Sequence, residues 1–180
     1  MGGSAIGGDL LAGLVEFENA PPVQVIRGYQ LPSWVGSDTL VIASSYSGNT
    51  EETLSAYREA ILRGARLVAM TSGGILAKEA AANETPLFRI GYKGEPRSAV
   101  GYSFLGPLAI LCNLRLIKDV TLPLKNALEQ LQGFSETLDP EIAQEKNLAK
   151  RLASANFGRF PVVYGAGFLT AVARRWKTQL

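Results

Sequence analysis

The stretch "TLVIASSYSGNTEETL", residues 39–54, joins an apolar run to a loop of small hydroxyl side chains and then to two glutamates. The run "TLVIAS" is rich in β-branched and apolar residues, which is typical of a buried strand. The residues from Asn49 onward have the apolar spacing of a helix. A strand that feeds a helix through a polar loop is the repeating unit of a parallel α/β sheet.

Four further short runs of the same type predict strands at residues 23–27, 66–70, 86–90 and 161–165. Helical spacing predicts helices at residues 5–18, 49–63, 74–82, 98–116, 123–137 and 141–155. A last helix follows "VVYGAG", with an apolar stripe formed by Leu169, Val172, Trp176 and Leu180. The alternation predicts an α/β fold in which a mainly parallel sheet is flanked by helices on both faces.

Composition excludes several classes of protein. The chain has 180 residues, a formal charge of +2, one cysteine and no histidine, so it offers neither an internal disulfide nor the commonest general base. Scattered basic residues give no nucleic-acid footprint, and no apolar run approaches the roughly 20 residues that span a bilayer. The N-terminus carries Asp9 and Glu16, unlike a secretory signal, so a cytoplasmic protein is predicted.

The hydroxyl-rich loop after "TLVIA" allows two interpretations. It can cap the following helix, with Asn49 and Glu52 forming a capping box. It can also bind an anion such as phosphate, because free N–H groups and the positive end of the dipole meet at a helix N-terminus. The loop lacks the lysine of a P-loop, and neither glycine cluster of the chain satisfies G-x-G-x-x-G, so nucleotides are disfavoured.

Two other loops carry candidate polar groups. "MGGSAIGGD" can serve close packing through its glycines, or it can bring backbone and Ser4 against a ligand. "GEPRSAVGY" places Arg97 just before a long helix, where its guanidinium can pair with a carboxylate or stabilise a developing oxyanion.

Taken in order, "GGSAIGGD", "SYSGNTEET" and "EPRSAVGY", with the ending "AVARRWKTQL", resemble the bifunctional phosphoglucose/phosphomannose isomerases of the sugar isomerase (SIS) superfamily. The resemblance implies flavodoxin-like three-layer lobes and a homodimer. It implies a first SIS domain in residues 1–155, lacking its first strand, and the start of a second, truncated one in residues 156–180.

The resemblance also implies the residues of a sugar-phosphate site. Sugar contacts are expected from Gly3 and Ser4, and phosphate contacts from Ser45, Ser47 and Thr50. Arg97 would stabilise the cis-enediolate of aldose–ketose isomerisation, with no metal or other cofactor.

The proton-transfer groups that the resemblance implies, a glutamate and a histidine, are expected beyond Leu180, so this chain alone is expected to be inactive. Among the carboxylates present, Asp9 and Glu95 lie in motif loops and are candidate bases, although solvated loop charges are the commoner case. The alternative function is a sugar-phosphate-binding SIS module without catalysis.

Overall fold

The computed structural model describes residues 2–179, with Gly2, Gly3 and Pro96 described by their backbone alone. The elements in chain order are α1 (Gly2–Val15), β1 (Leu40–Ser44), α2 (Glu51–Leu62), β2 (Arg66–Thr71), α3 (Gly74–Ala82), β3 (Leu87–Arg89), a 3₁₀ helix (Pro96–Ala99), α4 (Val100–Asn113), α5 (Thr121–Glu136), α6 (Leu148–Asn156) and α7 (Leu169–Lys177). They fall into two compact units, one of Met1–Ile117 with Tyr164–Leu180 and one of Lys118–Val163. None of the described helices is both long and apolar enough to cross a bilayer.

The sheet has three parallel strands in the order β1-β2-β3. On one face, α2 and α3 bury a core formed by Ala43, Leu54, Tyr57, Ala69, Leu76 and Ala80. On the other face α4 approaches the sheet so closely that a Cβ on Gly106 would lie 2.5 Å from the Met70 side chain. The predicted parallel sheet with helices on both faces is confirmed.

The strand predicted at residues 23–27 is wrong. This segment has no regular secondary structure, and within the described residues its backbone pairs with no strand. A cleft of about 600 Å³, lined by residues 21–26 and by β1, separates the two, whereas paired strands lie only about 4.8 Å apart. Thr39 and Ser45 form backbone hydrogen bonds with β2. Because successive residues of a parallel strand direct their backbone N–H and C=O groups to opposite sides, those of Leu40, Ile42 and Ser44 face this cleft.

The strand predicted at residues 161–165 is also wrong, for the same physical reason. The segment is irregular, Tyr164 is 90% exposed, and no strand of the described chain lies beside it. A β-branched run becomes a strand only where another strand offers its backbone hydrogen bonds. The β-branched residues of the segment favour a strand, but the sequence does not show whether another strand lies beside it.

Helix α1 begins earlier than predicted and includes the glycine-rich motif. A Cβ on Gly7 would lie 2.0 Å from the Ser103 carbonyl oxygen of α4, and one on Gly8 would lie 3.0 Å from Val25. At these two positions the glycines therefore serve close packing, one of the two interpretations of the motif.

The unit Lys118–Val163 contains α5 and α6. Helix α6 begins at Leu148, not at residue 141, because Asn147 is its N-cap and accepts from the Lys150 N–H at 3.1 Å. The buried Asn147 amide also donates to the Asp139 carbonyl at 2.9 Å. The residues before α6 are thus held as a turn. Leu180, the last member of the predicted apolar stripe of α7, lies outside the described residues.

Candidate functional site

The hydroxyl loop lies where β1 ends and α2 begins. Ser45 Oγ is 2.8 Å from Thr50 Oγ1 and accepts from the Gly48 N–H at 3.1 Å. Ser47 is exposed, and its Oγ accepts from the Asn49 N–H at 3.2 Å. Because one hydroxyl of the Ser45–Thr50 pair donates to the other, the second hydroxyl keeps its own proton for a ligand. The three predicted phosphate-binding hydroxyls therefore share one turn.

The predicted capping box is wrong. Thr50 is the N-cap of α2, and no side-chain hydrogen bond caps this end. Asn49 Oδ1 instead accepts from the Ile75 N–H in the first turn of α3 at 3.0 Å. The N-cap residue of α3 is Gly73, which has no side chain that could cap the helix itself. The first N–H groups of α2 and its positive dipole end consequently offer a place for an anion.

Two glycines hold this loop against the turn between β2 and α3. Gly48 has a φ of +70°, and a Cβ there would lie 1.9 Å from the Gly73 carbonyl oxygen. Gly74 has a φ of +72°, and its Cβ would lie 2.3 Å from the Ser47 carbonyl oxygen. The Ser72 hydroxyl adds a hydrogen bond to the Tyr46 carbonyl at 2.7 Å. The backbone course of the hydroxyl loop is therefore set by contacts that only glycine permits.

Tyr46 contacts all three motifs, and the sequence does not predict it as a site residue. Its N–H donates to Ser4 Oγ at 3.1 Å. Its hydroxyl donates to the Tyr92 carbonyl at 3.0 Å and accepts from the Gly94 N–H at 3.1 Å, in the loop that precedes Arg97. The sequence signal was only its position between two serines, which does not reveal such long-range partners.

Arg97 lies in the 3₁₀ helix and is exposed. Its guanidinium makes no hydrogen bond or ion pair with any described residue, so the structural carboxylate pairing considered for it is absent from the described part of the chain. Its main-chain carbonyl accepts a hydrogen bond from the Arg175 guanidinium of α7. Gly3 lies in the first turn of α1 and is described by its backbone alone.

The two candidate bases differ in environment. Asp9 is not a solvated loop charge, because it lies in α1 with a side chain 11% exposed and pairs with Arg27 and Arg174. Glu95 is exposed and precedes the 3₁₀ helix. The ion pairs of Asp9 favour a structural role for its carboxylate over proton transfer.

The first-turn glutamates of α2 interact with Tyr29. The Tyr29 hydroxyl donates to Glu51 Oε2 at 3.3 Å. The pKa of Tyr29 is raised, first by the charge of Glu52, then by burial and by Glu51. At least the Glu51 carboxylate thus has a partner outside the hydroxyl loop.

Known proteins are similar in sequence to this chain over its whole length. The bifunctional phosphoglucose/phosphomannose isomerase of Caldicellulosiruptor bescii is 45% identical over 100% of this chain and 53% of its own length. That of Thermoplasma acidophilum is 38% identical over 99% of this chain and 52% of its own length. The chain belongs to this family. It spans about half the length of the curated relatives it matches.

Two further comparisons concern the C-terminal residues and the fold. Residues 145–180 match the bacterial phospho-glucose isomerase C-terminal SIS domain. The crystal structure of a candidate phosphosugar isomerase of Bacillus subtilis superposes with a TM-score of 0.67 at 24% identity, covering 98% of this family member and 55% of that chain. At this identity the superposition shows the shared fold.

Proposed function

We propose that this family member forms the sugar-phosphate-binding part of an isomerase that interconverts glucose 6-phosphate or mannose 6-phosphate with fructose 6-phosphate. The observation that carries the proposal is the turn that brings Ser45, Ser47 and Thr50 together at the uncapped N-terminus of α2. A phosphate dianion there would accept hydrogen bonds from the hydroxyls and from main-chain N–H groups, and the positive end of the helix dipole would stabilise its charge.

The chemistry of the proposed reaction assigns a task to Arg97. A base removes the proton at C2 of the open-chain aldose, the negative charge spreads over O1 and O2 of a cis-enediolate, and a proton returns to C1. A guanidinium without a competing partner can stabilise that charge as it develops. Ser4, fixed by the Tyr46 N–H, and Gly3 would contact the sugar hydroxyls.

We further propose that the 180 residues bind substrate without turning it over. The sequence has no histidine, and Asp9 is engaged in ion pairs. We therefore propose a first SIS domain in residues 1–155 and the start of a second one in residues 156–180. We also propose that the protein is cytoplasmic. The second candidate, a binding module without catalysis, is favoured by the same engagement of Asp9.

Calorimetric titration with fructose 6-phosphate tests the binding site. Ser47→Ala should weaken binding about tenfold or more, because a hydrogen bond to a charged group contributes roughly 1.5–3 kcal/mol. The control is Ser37→Ala, which removes another exposed hydroxyl from a different loop and should bind like the parent. Equal affinities for fructose and fructose 6-phosphate would contradict the proposal.

A coupled assay for glucose 6-phosphate formation separates the two candidate functions when it is applied to the 180 residues and to any longer protein that contains them. Turnover by such a longer protein, with none by the 180 residues, is the result expected of an isomerase. Binding without turnover by both would favour the non-catalytic module.

We also propose that this family member assembles as a homodimer. Phe157, Phe160 and Tyr164 are each about 90% exposed in the single chain, and exposed apolar side chains of this size are often covered by association. Light scattering during size-exclusion chromatography should give the mass of two chains, and a monomer at micromolar concentration would contradict the assembly.

A further inference from the structure

Helix α7 packs on α1 in the first unit, although it lies in the sequence that matches the C-terminal domain model. Ala171 of α7 is buried, and a Cβ on Gly13 of α1 would lie 3.4 Å from the Phe168 carbonyl oxygen. The two helices therefore approach closely at the start of α7.

An ion-pair network fixes α7 on this surface. Asp9 of α1 accepts from Arg174 Nη1 of α7 at 3.1 Å and also from Arg27. The Asp9 side chain is 11% exposed and the Arg174 side chain 53% exposed, so solvent reaches this pair from the Arg174 side and screens it in part. With Arg174 held, the neighbouring Arg175 emerges about 100° around the helix.

From that position Arg175 reaches the segment of residues 92–99, which carries Arg97. Its Nη2 donates to the main-chain carbonyl of Arg97 in the 3₁₀ helix. The loop is anchored on its other side by the Tyr46 hydroxyl, which contacts Tyr92 and Gly94. The Arg97 side chain has no partner of its own among the described residues, so its direction depends on the backbone that carries it.

We propose that Arg175 is a positioning residue for Arg97. By holding the Arg97 carbonyl, it fixes the peptide from which the Arg97 guanidinium projects toward the developing charge of the enediolate. The inference rests on the proposed function, and it assigns to α7 a role in a site whose other proposed residues precede residue 100. A group fixed before the reaction stabilises developing charge without reorganising.

The test uses a ligand that carries the relevant charge. Arabinonate 5-phosphate has a phosphate at one end and, at the other, a carboxylate that resembles the enediolate oxygens. Arg175→Met should lower its affinity about tenfold, while the affinity for inorganic phosphate changes less than twofold. Arg175→Lys, which keeps a donor, should recover part of the loss, and Lys177→Met removes an exposed charge from the same helix and should bind like the parent.

A double-mutant cycle separates positioning from a general loss of charge or stability. In an Arg97→Ala background, Arg175→Met should have little further effect on arabinonate 5-phosphate binding, because the group it positions is gone. Equal effects in both backgrounds, or unchanged arabinonate 5-phosphate binding by Arg175→Met, would overturn the inference while leaving phosphate binding intact.

Hydrogen exchange gives a readout that needs no ligand. Amides of residues 92–100 should exchange several-fold faster in Arg175→Met than in the parent or Lys177→Met. Unchanged exchange there would overturn the inference even if the chain failed to bind phosphate, and failure of the parent to bind phosphate would by itself contradict the proposed function.

Discussion

Gly48→Ala should abolish measurable fructose 6-phosphate binding and lower the free energy of unfolding by about 2–5 kcal/mol. A left-handed backbone costs a residue with a Cβ roughly 1–2 kcal/mol. The new Cβ would also lie 1.9 Å from the Gly73 carbonyl oxygen, a backbone atom that cannot rotate away, and overpacking typically adds about 1–3 kcal/mol. Urea denaturation and calorimetric titration measure the two effects.

Gly64→Ala is the matched control. Gly64 has a φ of +67°, close to the +70° of Gly48, but a Cβ there would meet nothing within 4 Å. It should therefore show the backbone cost alone, about 1–2 kcal/mol, with unchanged ligand binding. If both variants lowered the free energy of unfolding equally, the contact between the hydroxyl loop and the β2–α3 turn would contribute nothing to stability.

Gly7→Ala should be the second strongly disruptive change. Alanine is intrinsically better than glycine in a helix by roughly 0.5–1 kcal/mol. At Gly7, however, a Cβ would lie 2.0 Å from the Ser103 carbonyl oxygen, so α1 must move away from α4 at a cost of about 1–3 kcal/mol or more. The shift would carry Ser4 away from the Tyr46 N–H, so both the unfolding midpoint and fructose 6-phosphate affinity should fall.

Gly101→Ala on α4 provides the opposite expectation. A Cβ at Gly101 meets nothing within 4 Å, so helix propensity alone applies and the variant should be stabilised by roughly 0.5–1 kcal/mol. Thermal unfolding of the pair checks both signs. A stabilised Gly7→Ala protein would contradict the close contact between α1 and α4.

The interpretation of the loops shows where sequence reasoning succeeded and where it failed. Ser45, Ser47 and Thr50 could be grouped because they are neighbours along the chain and follow a strand. The partner of Asn49 could not be predicted, because it lies on α3 and depends on the missing side chain of Gly73. Tyr46 was overlooked for the same reason, since its partners lie about 40 or more residues away in the sequence.

By itself the sequence determined the alternation of strands and helices, the parallel sheet, the hydroxyl loop and the motifs that identify the family. These follow from local periodicity and from residues that are close in the chain. Only the tertiary structure decided that residues 23–27 and 161–165 find no partner strand in the described part of the chain, that Asp9 is held by two arginines, and that Arg175 reaches the Arg97 carbonyl. The reason is that pairing, ion-pair geometry and close helix contact depend on which surfaces meet in space.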